Sequence, residues 1–171
     1  MNLVEPTIKL EWQFRQMAED FAAADEGKFA EELAVTADFE DYLTQKSNCK
    51  AGINLKAGYV PFSTYWLVDD KDSIIGVSSL RHYLNGYLEN HGGHIGYHIS
   101  PAFRRKGFGT ELLRLTLDKA RELKIPRALV TCDVDNIGSN KVIQNNGGVF
   151  EDQRHDDSGV AYNRYWIELG A

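Results

Sequence analysis

Phe14, Met17, Ala18 and Phe21 recur at i, i+3, i+4 and i+7, the period of one helix face turned toward a core. Gly27 offers that helix a stop. Phe39, Tyr42 and Leu43 predict a second, shorter helix, and the breakers Gly52, Gly58 and Pro61 then predict a surface loop. From Thr64 the period changes to that of strands. TYWLVD and IIGVSSLRHY, separated by Asp70, Lys71, Asp72 and Ser73, read as an antiparallel hairpin. The loop NGYLENHGG leads to a strand, HIGYHI (His94 to Ile99), which ends at Ser100 and Pro101. Beyond AFRRKGFG a helix is expected from about Gly109 or Thr110, with Leu113, Leu117 and Ala120 on its apolar face and an end before Pro126. The strand RALVTCD follows, then a short helix within NIGSNKVIQNNGG, then VFEDQ and VAYNRYWIEL around the turn Asp156, Asp157, Ser158, Gly159. This order predicts an α/β (α+β) fold, a mixed and mostly antiparallel sheet with helices on both faces.

The 171 residues, 43% apolar and 11% aromatic, suffice for one core and are too few for two ordinary domains, so a single domain is expected. No apolar run approaches the roughly 18 residues of a membrane span, and MNLVEPTIKLEW lacks the basic and apolar parts of a secretory signal. A cytoplasmic protein is the expectation. The formal net charge of −6 argues against nucleic acid or an anionic membrane as partner, since both need a basic field. Cys49 and Cys132 have neither Cys-x-x-Cys nor His-partner spacing, so reduced thiols are expected and no metal.

Against that acidic background the run Arg104, Arg105, Lys106 stands directly before Gly107-x-Gly109 and a helix. Each part suits an anionic pyrophosphate: glycines allow close approach, and the first amides of a helix have no partners within it and lie at its positive end. One such terminus contributes roughly 0.3 to 2 kcal/mol toward an anion, and Arg or Lys adds charge-assisted bonds. A dinucleotide-binding turn also sits between strand and helix, and Asp133 lies near its ribose-binding position. Two details count against that alternative: Leu112 occupies the third glycine position, and SPAFRRK separates the strand from Gly107 where that motif is tight.

HIGYHISPAFRRKGFGTELL, His94 to Leu113, resembles the acetyl-CoA signature of GNAT acetyltransferases, Arg/Gln-x-x-Gly-x-Gly/Ala, matched at Arg104, Gly107 and Gly109. Downstream, DNIGSNKVIQNNGG is similar to the family's Asn-x-x-Ser segment, so the resemblance spans about the last 110 residues. The similarity is greatest to the branch holding ribosomal-protein N-terminal acetyltransferases and many predicted bacterial acetyltransferases. It implies residues 1–62 as a helical acceptor-side region and 63–171 as a sheet carrying the acetyl-CoA site.

By that resemblance, main-chain groups near Ile99 bind the pantetheine arm. Amides of Arg105, Lys106, Gly107, Phe108, Gly109 and Thr110 face the phosphates, with charge from Arg104, Arg105 and Lys106. Asn136 contacts CoA or caps its helix. Direct transfer to an amine needs a base, oxyanion donors and a proton for the departing thiolate. His94 stands where related enzymes have Glu as base, and an unperturbed imidazole suits the task; a structural hydrogen bond is the other reading, and His98, on the same face, is an alternative base. The family's acidic Tyr is replaced by Ile143, leaving Ser139 as a partner for sulfur or a helix cap. Arg81 and Tyr83, with the loop Gly58 to Phe62 and Tyr162 to Trp166, are acceptor-site candidates; Arg81 would hold a carboxylate or serve as a surface ion-pair partner.

The implied function is acetyl-CoA-dependent N-acetylation of a small-molecule amine or a protein N-terminus through a ternary complex, without metal and with a homodimer left open. The alternative is a non-catalytic acyl-CoA-binding or sensory module.

Overall fold

Side-chain alternation along two strands divides the core. In the computed structural model, which describes residues 1–24 and 38–170, β2 (Phe62–Val68) pairs antiparallel with β3 (Ile74–Arg81), Trp66 opposite Val77. Trp66, Val68 and Val77 turn to one face, where α1 (Glu11–Ala23) and α2 (Phe39–Ala51) pack. Phe14 stacks on Trp66 at 5.0 Å between ring centres and meets Tyr42 at 4.8 Å. Tyr65, Leu67 and Leu80 turn to the other face, toward the later helices.

α1 buries Phe14, Met17, Ala18 and Phe21, the four positions of the sequence period, and ends against Ala24; Gly27 lies outside the described residues. α2 is capped by Asp38, whose side chain accepts from the Glu40 amide at 2.8 Å, and closed by left-handed Gly52. It is as long as α1, 13 residues each, rather than shorter.

β1 (Asn2–Val4) precedes α1 and pairs with β2, and β4 (Ile95–Ile99) pairs with β3, giving an antiparallel sheet in the order β1-β2-β3-β4. The first strand, three residues long, was not foreseen in the region read as helical. The segment before β4, read as loop, contains a short helix α3 (Gly86–Asn90) capped by Asn85. After β4 come α4 (Phe108–Glu122), β5 (Arg127–Asp133), α5 (Ile137–Asn145), β6 (Val149–His155) and β7 (Ala161–Glu168). The last three strands form a second antiparallel sheet, β5-β7-β6. α4 packs on the sheet face opposite α1 and α2, so the fold is mixed α/β with helices on both faces.

The two sheets meet at one joint. The His94 amide donates to the Leu129 carbonyl at 2.7 Å, and the Leu129 amide donates to His94 Nδ1 at 3.0 Å. Gly93 makes the approach possible: a Cβ there would lie 2.4 Å from the Leu129 oxygen, and its φ is +61°. Away from this joint β4 and β5 form no ladder. No helix of the described residues is long and apolar enough to cross a membrane.

Candidate functional site

Where β4 and β5 have parted, a cleft of about 790 Å³ opens between the end of β4, the following loop, and the starts of α4 and α5. Its wall includes Ile99, Arg104, Arg105, Gly107, Phe108 and Gly109. Thr110, Asn136 and Ser139 complete the set that sequence reasoning brought together. Lys106 stands apart. Its Nζ donates to the Ala102 carbonyl at 3.0 Å and lies over Phe103, outside the wall.

The loop is shaped to present main-chain N–H groups. Arg105 (φ +60°) and Gly107 (φ +83°) both adopt left-handed backbone, which costs a non-glycine residue such as Arg105 of order 1 to 3 kcal/mol. The amides from Arg105 to Gly109 donate to no backbone carbonyl among the described residues, while those of Thr110 and Glu111 turn back to Gly107. The free amides gather at the positive end of the 15-residue α4, an arrangement suited to an anion. Gly107 would bring a Cβ against nothing within 4 Å, so its space is the cleft itself. Gly109 has another reason: a Cβ there would press on Val142 at 3.1 Å, where α4 and α5 cross. Asn146 fastens that crossing by donating to Thr110 and Val142 carbonyls at 3.1 and 2.9 Å. Arg104 bonds the Ile99 carbonyl through Nε at 3.0 Å and lies over Phe21, tying the loop to α1.

The β3–β4 register fixes which main-chain groups face the gap. Ser100 donates to Ile75 and Arg81 to His94, so bonded pairs alternate with pairs at Ile95, Tyr97 and Ile99 whose N–H and C=O groups point away from β3. These are the groups a ligand laid along β4 would meet.

Asn136 both caps and borders. Its side chain accepts from the Ser139 amide at 3.0 Å, making Asn136, not Ser139, the cap of α5, and it lines the cleft. Beside Ser139 lies the Tyr97 hydroxyl, which is buried and makes no hydrogen bond of full geometry within the described residues. Burial pushes its pKa up to about 12, the neighbouring Ser139 acting in the opposite sense. Sequence reasoning missed Tyr97. The signal was its place on the strand, three residues before Ser100. Ile143, at the position where a tyrosine was sought, is fully buried in the core.

His94 lies outside both this cleft and the cavity described below. It is 7% exposed, and burial pushes its pKa down to about 4, with the charge of Arg81 adding to the effect. With Nδ1 accepting from Leu129, the neutral ring carries its hydrogen on Nε2. His98 is exposed and lines the cleft. Cys49 and Cys132 are free thiols; burial pushes Cys132 up to about 11. Among the described residues no group of three His, Cys, Asp or Glu side chains is placed to hold a metal.

The family model of the acetyltransferase (GNAT) domain matches residues 13–149, from the first turn of α1 to the first residue of β6. The chain belongs to the GNAT acetyltransferases. Solved structures share the fold. RimL, a ribosomal alpha-N-protein acetyltransferase in complex with CoA, superposes with a TM-score of 0.69 at 19% identity, covering 97% of this chain and 92% of its own. The microcin self-immunity acetyltransferase MccE, with acetyl-CoA and AMP, gives 0.67 at 20% identity over 97% and 91%. The spermidine N-acetyltransferase SpeG of Vibrio cholerae gives 0.65 at 15% over 99% and 95%. Comparison with curated protein sequences finds no match.

On the other side of β4 the GNAT domain has a second cavity, of about 980 Å³, walled by Lys46, Tyr59, Phe62, Arg81, Tyr87 and His91 among others. Arg81 lies on its floor, with Nη1 donating to the Gly92 and Gly93 carbonyls at 3.1 and 2.9 Å. Tyr83 is 54% exposed and outside that wall, whereas Gly58, Tyr59, Val60 and Phe62 of the candidate loop line it together with Arg81. Tyr162 and Tyr165 are buried; the Tyr162 hydroxyl donates to the Asn90 carbonyl at 2.7 Å, and that of Tyr165 to Asn140 Oδ1 at 2.6 Å.

Proposed function

We propose that this chain transfers an acetyl group from acetyl-CoA to a primary amine by direct attack in a ternary complex. The supporting observation is the relation of the two cavities. The glycine-loop cleft reaches Tyr97 on β4, the second cavity reaches Ser79 on β3, and Ser79 lies opposite Gly96, the residue before Tyr97. A Cβ on Gly96 would meet nothing within 4 Å, so the strand carries no side chain between them.

In this reading the amides from Arg105 to Gly109, with Thr110, hold the phosphates, aided by Arg104 and Arg105. Lys106 contributes charge through space. Main-chain groups of Tyr97 and Ile99 hold the pantetheine arm as a neighbouring strand would, and Asn136 and Ser139 border it. The amine nitrogen attacks the thioester carbonyl carbon, the carbon–sulfur bond breaks, the nitrogen loses one proton and the sulfur gains one. Ser139 and Tyr97 are the hydroxyl donors on the cleft wall for the departing sulfur. His94, first considered as base, is better suited to its structural bond with Leu129. His98 is the histidine on the cleft wall, and we assign it the amine proton.

Titration calorimetry with acetyl-CoA, followed by thiol release with a panel of amines, tests the proposal. Binding together with amine-dependent thiol release is the expected result, and absence of binding overturns it. Binding with no release for any amine favours the non-catalytic acyl-CoA module, the reading that Ile143 supports. His98→Ala should lower kcat by about 100-fold. An unchanged kcat assigns the proton to solvent.

A further inference from the structure

Arg81 is a charge in the second cavity held by main-chain carbonyls alone among the described residues. Its guanidinium is largely buried beneath the loop of α3, stacked against Gly92, whose Cβ position lies 3.7 Å from Nη1. The protein gives Nη1 two carbonyl acceptors, and among the described residues Nη2 and Nε find no acceptor and no carboxylate pairs with this residue. Burial, the dominant effect, pushes the Arg81 pKa down, which an anionic neighbour would reverse. A guanidinium has five donors in a planar fork matched to a carboxylate.

The rest of the wall agrees in charge and shape. Among the described residues it contains Lys46 and Arg81 but neither Asp nor Glu. Such a wall repels a polyamine, which carries only positive charge. Tyr59 and Tyr87, 60% and 64% exposed, flank the cavity, and Phe62 forms an apolar side. Arg81 and Ser79 project from the same face of β3, two residues or roughly 7 Å apart. Ser79 marks the crossing to the cofactor side at Gly96. An acceptor that places its amine near the crossing and an acid group on Arg81 is therefore a small molecule, with its two groups separated by no more than a distance of that order.

Resting on the acetyltransferase reading above, we infer that the acceptor is a carboxylate-bearing primary amine of amino-acid type with an apolar or aromatic body, its carboxylate held by Arg81.

Calorimetric titration of the CoA-saturated protein with N-acetyl-phenylalanine, its carboxamide and N-acetylspermidine tests this without requiring turnover. The acid should bind on the order of 100-fold more tightly than the carboxamide, the scale expected for a charge-assisted pair in a partly buried site. Arg81→Gln should erase that preference, with circular dichroism and retained CoA binding as the check of folding. Equal binding of acid and carboxamide by the native protein overturns the inference whatever the variant does. So does a preference for the spermidine product, binding of none of the three, or an undiminished preference in folded Arg81→Gln. Failure of thiol release with every amine, while the acid still binds selectively, counts against the transfer reaction and not against this site.

Discussion

His94 illustrates how a single hydrogen bond redirects a residue. An imidazole suited by its ordinary pKa to collect a proton is engaged instead by the Leu129 amide, 35 positions along the chain. The consequence is a pH dependence of stability. The folded-state pKa, about 4, lies below the ordinary 6.5, so the unfolded chain binds the proton more readily. This contribution is fully present above about 6.5 and is lost as pH falls from there toward about 4, by at most about 3 kcal/mol. His94→Asn, which retains an acceptor, should reduce the fall in Tm across that window; His82, also pushed down by burial, leaves some slope. At the cofactor loop, Gly107→Glu should abolish acetyl-CoA binding, because it adds negative charge where phosphate is to sit and strains a backbone held at φ +83°, with circular dichroism as the check of folding. Unchanged affinity by calorimetry would remove the loop from the phosphate site. The glycine loop was legible because its residues are consecutive. Tyr97 was missed and the role of Arg81 left open, since the burial of a hydroxyl or a guanidinium is set by residues distant in sequence.

Strand β4 is the element on which most of the proposed chemistry converges. It offers main-chain groups along one edge, Tyr97 toward the cofactor side, and a glycine at the crossing. Gly96→Leu should leave acetyl-CoA affinity within a factor of about three while lowering kcat/KM for amines by 100-fold or more, the scale of a small displacement of reacting groups. Equal losses in binding and turnover would show that the side chain intrudes on the cofactor instead. Elements were legible in proportion to their length. The 15-residue α4 declared itself through Leu113, Leu117 and Ala120, whereas β1 has three residues and no room for an alternating pattern. α3 spans five residues, and its Asn85 cap lies among loop-forming residues that hide it. Gly109 was read as a phosphate-side glycine, but its contact with Val142 belongs to a crossing of two helices that sequence spacing does not reveal.

At the scale of the molecule, two antiparallel sheets share a core but, among the described residues, exchange main-chain hydrogen bonds only at one short joint, and the cleft opens where β4 and β5 form no ladder. The joint depends on Gly93. Gly93→Ala, with a Cβ driven toward the Leu129 oxygen and an unfavourable φ, should cost about 2 to 4 kcal/mol in denaturant unfolding and weaken acetyl-CoA binding with it. A neutral result would mean that the joint is not what sets the separation. The order of helices and strands predicted a mixed sheet, but not its division, because that division rests on one contact between distant residues.

The alternation of Trp66 and Leu67 has a further consequence. Adjacent in sequence, they enter separate apolar clusters on opposite faces of the same strand, one beneath α1 and α2 and the other toward α4. Substitutions confined to one cluster share no buried packing partner with those in the other, and pairs more than about 10 Å apart should combine additively.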